Sequence, residues 1–409
     1  MRCRSCKSIV KDIFIDLGKA PPSNSYLSKS ELNKFEKWFP LRVLVCKNCF
    51  LVQTEDFIGA DDIFSDNYAY FSSYSSSWLK HSKEYVDNVV ERFKLSKNSI
   101  FAEIASNDGY LLQYVKELNI NCYGVEPTKS TANIAKSKGI DIIEDFFTVR
   151  KARELVNEGR KADLIAANNV LAHVPDINNF VKAFDILLKP DGVATFEFPH
   201  IYNLVKLNQF DTIYHEHYSY LSLLTVNFIF EKNGLKIFDV EKILTHGGSL
   251  RIFAKKKSSI KNPLKNSVLK LFEEEKKVGL NTLKYYENFK HKVNKIKLDA
   301  LLFLIKAKLS GKKIAAYGAA AKGNTFLNFI GAKPDLISYV VDKNPAKYGK
   351  YMPGSCIPIY EIEHLLENKP DYIMILPWNL SDEILSQETN LLKQGVKCFT
   401  AIPKLKILN

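Results

Sequence analysis

The 409-residue chain has no run of 18 apolar residues, so no transmembrane helix is expected. The segment Met1-Arg2-Cys3-Arg4-Ser5-Cys6 lacks the apolar stretch of a signal peptide, and a cytoplasmic protein is expected. No repeat is short enough for a solenoid. Arginine is missing from residues 255–313, which hold 17 Lys and 5 acids and so carry twelve of the chain's net charge of +13. Without guanidinium groups this stretch cannot grip phosphates bidentately. The remainder is nearly neutral, which excludes a uniformly basic nucleic-acid surface. Disorder is excluded too: 46% hydrophobic and 25% charged residues are ordinary globular composition. The length suits two or three domains.

Tyr285, Phe289, Val293, Ile296, Ala300 and Phe303 recur every three or four residues, so the lysine-rich stretch reads as helix. Its lysines form a solvated outer face in the simplest reading. A membrane-surface or nucleic-acid patch, and attraction of an anionic substrate, are the other two.

The seven cysteines are odd in number and no secretion signal accompanies them, so a disulfide framework is not expected. Cys3 and Cys6 form one C-x-x-C pair, Cys46 and Cys49 another. Two such pairs can close a tetrahedral thiolate cage around zinc, and four protein ligands make that zinc structural. No thioredoxin-like pattern surrounds either pair. Cys122, Cys356 and Cys398 lie in apolar surroundings and are expected in the core.

The expected fold class is α/β, in three units: a zinc-binding domain over 1–72, a Rossmann-like domain over 73–254 and a second Rossmann-like domain over 255–409. The first contains short strand-like pieces at Ile13–Ile15 and Leu41–Val45. A Tyr- and Ser-rich stretch from Tyr68 to Trp78 leads into a helix; it is either plain surface loop or the lining of a polar cleft. Strands are then expected at 99–105, 121–125, 140–143, 162–167 and 192–197, with helices at 111–118, 130–138 and 180–188. Strands alternating with crossover helices mean a parallel sheet. A second set follows the lysine-rich helices, with strands at 313–317, 336–341 and 372–376.

The first sheet opens on Glu103-Ile104-Ala105-Ser106-Asn107-Asp108-Gly109, an acid ending a strand and small residues turning into a helix. The second strand ends in Glu126-Pro127, where a carboxylate can bind both hydroxyls of a ribose. The pair suits the adenosine of a dinucleotide or of S-adenosylmethionine. The loop has too little glycine to hug a pyrophosphate closely. Asp145-Phe146-Phe147 follows the third strand, where an acid and an aromatic can hold adenine. Both points favour S-adenosylmethionine. The fourth strand runs into Asn168-Asn169 and His173, at the carboxyl edge where ligands bind. His173 is either a packing histidine or a ligand contact.

The densest constellation is Tyr214-His215-Glu216-His217. It offers a base, an orienting carboxylate and a proton donor. Half a metal site and a buried structural cluster are the alternatives.

With Thr245–Arg251, Gly318–Asn324 and Ile375–Asn379, these residues resemble bacterial S-adenosylmethionine-dependent nucleotide-sugar C-methyltransferases over essentially the whole chain. The resemblance implies transfer of a methyl group to a carbon, C3, of a nucleoside-diphosphate-linked 4-keto deoxysugar through an enolate. It implies His217 as the base, with Tyr214 and Glu216 beside it, His173 as another active-site histidine, and Tyr68 or Tyr70 as the active-site tyrosine. It implies that the C-terminal domain holds the sugar nucleotide, with Lys322 and Asn324 near the phosphates or the sugar. Asp342, Trp378 and Asn379 are further candidates there. By pattern alone, Gly318–Asn324 and Asp342 suit a second dinucleotide site. The expected protein is a cytoplasmic monomer without nucleic-acid or membrane partners. An NAD-dependent sugar oxidoreductase or epimerase, and a zinc-containing nucleic-acid-binding protein, are the alternative functions.

Overall fold

The computed structural model describes residues 1–57, 59 and 71–409. Tyr68 and Tyr70, both expected in the site, lie outside the described residues.

Three sheets organise these residues. The first is antiparallel, in the order β1 (Asp12–Ala20), β2 (Phe39–Val45), β3 (Val52–Thr54) and β9 (Ser219–Tyr220). β9 comes from the middle of the chain, so the N-terminal unit is completed by the two residues just after the His-Glu-His motif.

The second sheet has seven strands. β4 (Ile100–Ile104), β5 (Asn121–Val125), β6 (Asp141–Ile143), β7 (Ala162–Asn168) and β8 (Leu188–Pro199) are parallel. β10 (Leu235–Ile243) and β11 (Ser249–Lys256) add an antiparallel hairpin beyond β8. The order is β10-β11-β8-β7-β4-β5-β6. Parallel strands covered on both faces read as near-continuous apolar runs, as Leu164–Ala167 does within β7 (ADLIAAN).

The third sheet is parallel in β12 (Ile314–Tyr317), β13 (Val340–Val341), β14 (Ile359–Tyr360), β15 (Tyr372–Ile375) and β16 (Lys397–Thr400), with β17 (Lys406–Ile407) antiparallel at its edge.

Three expectations change. The strand expected over 336–341 shrinks to Val340–Val341, because the amides of Leu336 and Ile337 close a turn onto the Lys333 carbonyl after Pro334. Cys398 is buried, but Cys122 and Cys356 are only half-buried. The lysine-rich stretch divides between two cores. The helix Asn266–Val278 puts Val268 and Leu271 into the core of the seven-stranded sheet. The helix Phe289–Leu309 puts Phe289, Val293, Ile296 and Ala300 into a core shared with β1 and the third sheet. There Phe14 of β1 stacks on Phe289 at 4.7 Å. Among the described residues no helix is long and apolar enough to cross a membrane.

Candidate active site

Each cysteine pair sits on a tight turn. The residue after the second cysteine, Lys7 in one and Phe50 in the other, is left-handed (φ 66° and 56°). Its amide returns to the carbonyl of the first cysteine, at 3.0 Å for Lys7–Cys3 and 2.8 Å for Phe50–Cys46. The four Sγ atoms come within 4.8 Å of one another, with Cys3–Cys49 at 3.5 Å and Cys6–Cys46 at 3.6 Å. A tetrahedron of thiolates with Zn–S of about 2.3 Å has S–S edges of about 3.8 Å, so the sulfurs fit zinc. Four protein ligands complete the coordination shell. The zinc is structural.

The same unit holds the histidine motif. Arg4, buried between the first two cysteines, donates to the carbonyls of Pro175 (3.2 Å) and Thr54 (3.1 Å) and lies 4.7 Å over the Tyr218 ring. The Thr54 hydroxyl donates to the His217 carbonyl at 3.1 Å. The Asn24 amide donates to Glu216 Oε1 at 2.7 Å. From the opposite side, Thr325 donates to the Ile213 carbonyl (2.9 Å) and the Trp378 indole to Asp211 (2.7 Å).

Between these supports lies a cleft of about 740 Å³ reached by all three units. Its floor is the carboxyl edge of β4, β5 and β7. Ala105 and Asn107 turn the first loop in left-handed conformations (φ 57° and 49°). Glu126 Oε2 accepts the Asn107 amide (2.9 Å) and Oε1 the Thr128 amide (2.8 Å), the Thr128 and Thr131 side chains hydrogen-bond it as well, and the carboxylate lines the cleft. Burial raises its pKa. Pro127, Phe146, Phe147, Asn168 and Asn169 also line the cleft. Asn168 Oδ1 and both polar side-chain atoms of Asn169 are buried without a hydrogen-bond partner among the described residues. A cleft-lining acid, an apolar aromatic wall and unspent amides fit the ribose, adenine and amino-acid ends of S-adenosylmethionine.

Four other expected cofactor residues stand behind this wall. Glu103 is fully buried, and burial raises its pKa well above the usual carboxylate range. Ser106 packs against Gly124. Asp108 accepts the Ser73 amide at 3.2 Å. Gly109, at φ 75°, starts the turn into the helix Leu112–Glu117. Asp145 is a correction: its carboxylate is taken by Arg150 (3.1 Å) and Lys151 (2.9 Å) and does not line the cleft. The described part of the Tyr/Ser stretch supplies Ser72 and Trp78 to the cleft, which decides in favour of a lining role for that part.

His217 Nδ1 lies 2.7 Å from the Thr212 carbonyl, which can only accept. The Nδ1 atom therefore carries the proton, and Nε2 keeps its lone pair. Burial, then the charge of His173, push the His217 pKa well below 6.5. Tyr214 packs on the ring at 4.0 Å and His173 edge-on at 4.5 Å. His173 hydrogen-bonds the Glu216 backbone, and burial lowers its pKa to about 4. His215 turns away to the Pro40 carbonyl (3.2 Å).

On the C-terminal side Lys322 and Lys347 line the cleft around the first turn of the helix Ala321–Ile330. Lys322 donates to Asn379 (2.6 Å) and lies 4.9 Å over the Trp378 ring. Asn379 lines the cleft; Trp378 does not. Two expectations are corrected here. Asn324 is fully buried and does not line the cleft, and its Oδ1 accepts from Asn328 at 3.2 Å. Asp342 accepts the Ala319 amide (2.7 Å) and Lys347 (3.1 Å), so it holds the loop and the lysine instead of facing a ligand. Asn24, His246 and Lys347 line the cleft without having been singled out from the sequence. His246 lies inside a motif that carried only the family resemblance. The others carry no local signal.

Family models match in chain order: a zinc binding domain over residues 3–64, a methyltransferase domain over 78–240 and a C-methyltransferase C-terminal domain over 244–403. The C-methyltransferase NovU of Streptomyces niveus is 31% identical over 407 residues, covering 100% of this chain and 96% of that protein. The chain belongs to the C-methyltransferase family. The ubiquinone biosynthesis O-methyltransferase of Bartonella tribocorum is 31% identical over 93 residues, 22% of this chain and 37% of that protein. The magnesium protoporphyrin IX methyltransferase of Synechocystis, solved with bound SAM, overlaps 50% of this chain and 100% of its own at 13% identity and a TM-score of 0.36, too loosely to support an inference. This C-methyltransferase uses S-adenosylmethionine and carries structural zinc. The oxidoreductase reading falls away.

Proposed function

We propose that this C-methyltransferase methylates C3 of a nucleoside-diphosphate-linked 4-keto deoxysugar, with His217 as the base. One observation carries the reading: the His217 ring is locked by the Thr212 carbonyl with its lone pair on Nε2, in a cleft walled by the cofactor loop on one side and two lysines on the other. A ketone makes the neighbouring C–H acidic, and a positioned neutral imidazole is suited to take that proton. S-adenosylmethionine supplies an electrophilic methyl group on its sulfonium. His217 receives the sugar proton at Nε2; Tyr214, packed on its ring, and Glu216, held by Asn24, set the geometry. Lys322 and Lys347, beside the amides of a helix start, suit the negative charge of a diphosphate. Phe146, Phe147 and Trp78 give the cleft an aromatic lining.

The units 1–72, 73–254 and 255–409 then take the roles of zinc-stapled support, cofactor domain and sugar-nucleotide domain. Cytoplasmic residence and a monomer remain part of this reading.

Exchange tests it. With S-adenosylhomocysteine bound, wild-type enzyme should wash solvent deuterium into C3 of the 4-keto sugar, and His217→Asn should not. Equal exchange by the two proteins removes His217 as base; label at C5 moves the methylated carbon.

A further inference from the structure

We propose that His246 touches the substrate, donating its ring N–H to the ketone oxygen as that oxygen gains negative charge. The inference rests on the proposed function and names a second reacting side chain within it.

His246 sits in a single turn, Thr245–Gly247, between β10 and β11. Its backbone is left-handed (φ 51°, ψ 29°), a conformation costly for a residue with a side chain and kept only where the surroundings force it. They do so here. The Thr245 hydroxyl donates to Glu197 (3.0 Å), Gln209 to the Gly247 carbonyl (2.8 Å), and Asn203 and the His200 amide to the Gly248 carbonyl (both 3.1 Å). Glu197 is fully buried at the end of β8 and is fixed by His81 (3.0 Å) and Arg251 (3.1 Å). Gly247 (φ 83°) and Gly248 (φ 107°) admit no side chain: a Cβ would overlap Trp378 and Gln209 at the first and Asn203 at the second. The turn is thus held by four residues, Glu197, His200, Asn203 and Gln209, and it presents one imidazole to the cleft.

That imidazole does little for the fold. It packs 5.1 Å from the Trp78 ring, and neither ring nitrogen hydrogen-bonds a described residue. Its electrostatic neighbours are Lys322, Glu197, His81 and His173, and it acts in turn on His217. Burial, then the Lys322 charge, lower its pKa to about 4, so the ring is neutral near pH 7. A neutral imidazole brings no positive charge to a diphosphate, which the two lysines already supply. It suits an oxygen that becomes anionic only during reaction. The bookkeeping closes without a further reagent. The proton leaves carbon for His217 Nε2, the C–H electron pair becomes the C=C bond of the enolate, and the carbonyl π pair moves to oxygen. There it accepts the His246 hydrogen bond.

The test uses the full-length zinc-loaded enzyme, S-adenosylhomocysteine and a nucleoside diphosphate 4-keto deoxysugar in deuterated water. His246→Ala should slow exchange by about 10²–10³-fold, the usual worth of one oxyanion donor. His246→Gln, which keeps an N–H, should recover part of that rate. Affinity for S-adenosylmethionine and the melting temperature should stay near wild type in both. Wild-type exchange with unchanged His246→Ala exchange overturns the inference and spares the functional reading. A matching loss of cofactor affinity, or a large fall in melting temperature in both variants, also overturns it, assigning His246 to the cofactor or to the fold. No exchange by wild type removes the functional reading and this inference with it.

Discussion

Asn24→Ala isolates the contribution of the zinc-stapled unit to catalysis. Asn24 lies on a loop of that unit and donates to Glu216 Oε1 at 2.7 Å, across 192 residues of sequence. Glu216 is 2% exposed, so water cannot replace the lost donor freely. A hydrogen bond to a charged group is worth about 1.5–3 kcal/mol, which predicts a fall in kcat/KM of roughly 10- to 150-fold. Asn24→Asp should be worse than alanine, because it sets a second carboxylate against the first. The assay is methyl transfer at saturating S-adenosylmethionine, with cofactor affinity measured by calorimetry. That affinity should stay within about twofold, since the Asn24 side chain bonds Glu216 and Tyr26 and not Glu126 or the loop it holds. Alanine activity within about threefold of wild type, or an aspartate variant as active as the alanine one, would refute the argument that Glu216 orients the histidine motif through Asn24.

Metal analysis should return about one zinc per chain, the four-thiolate stoichiometry; Cys46→Ser should lose zinc and lower the melting temperature, and a folded variant with full zinc contradicts the cage. Glu126→Ala removes the acceptor of two loop amides as well as a carboxylate that lines the cleft, so cofactor affinity should fall about tenfold or more; unchanged affinity by calorimetry places the ribose elsewhere. The His217 base is active when neutral and its pKa is lowered, so the acid limb of kcat/KM should lie below pH 6.5, and a limb at or above 6.5 contradicts it. His173 and His246, also lowered to about 4, contribute stability that is full above pH 6.5 and is lost as the pH falls towards 4.

The parallel strands β4 to β8 were legible because burial on both faces turns them into apolar runs such as Leu164–Ala167. The β10–β11 hairpin was not. Its alternation, as in Leu235-Lys236-Ile237, merges with a motif and a lysine run that carried other meanings. The helix Asn266–Val278 shares its lysine content with Phe289–Leu309, and charge says nothing about which core each helix covers. At the site, sequence located backbone positions well and side-chain directions poorly. Asp145 and Asp342 do end strands at the ligand edge, but cations five or six residues on, Arg150 and Lys151 for one and Lys347 for the other, capture their carboxylates. Asn24 and His246 enter the cleft through contacts between distant segments, which no local pattern encodes.

The most direct test of carbon methylation is the bond formed. Full-length enzyme should be incubated with S-adenosylmethionine labelled with ¹³C in the methyl group and a nucleoside diphosphate 4-keto deoxysugar, and the product examined by NMR. The account predicts a labelled methyl group coupled directly to ring carbon C3. A labelled methyl on oxygen, or no transfer to any keto sugar nucleotide, would contradict it.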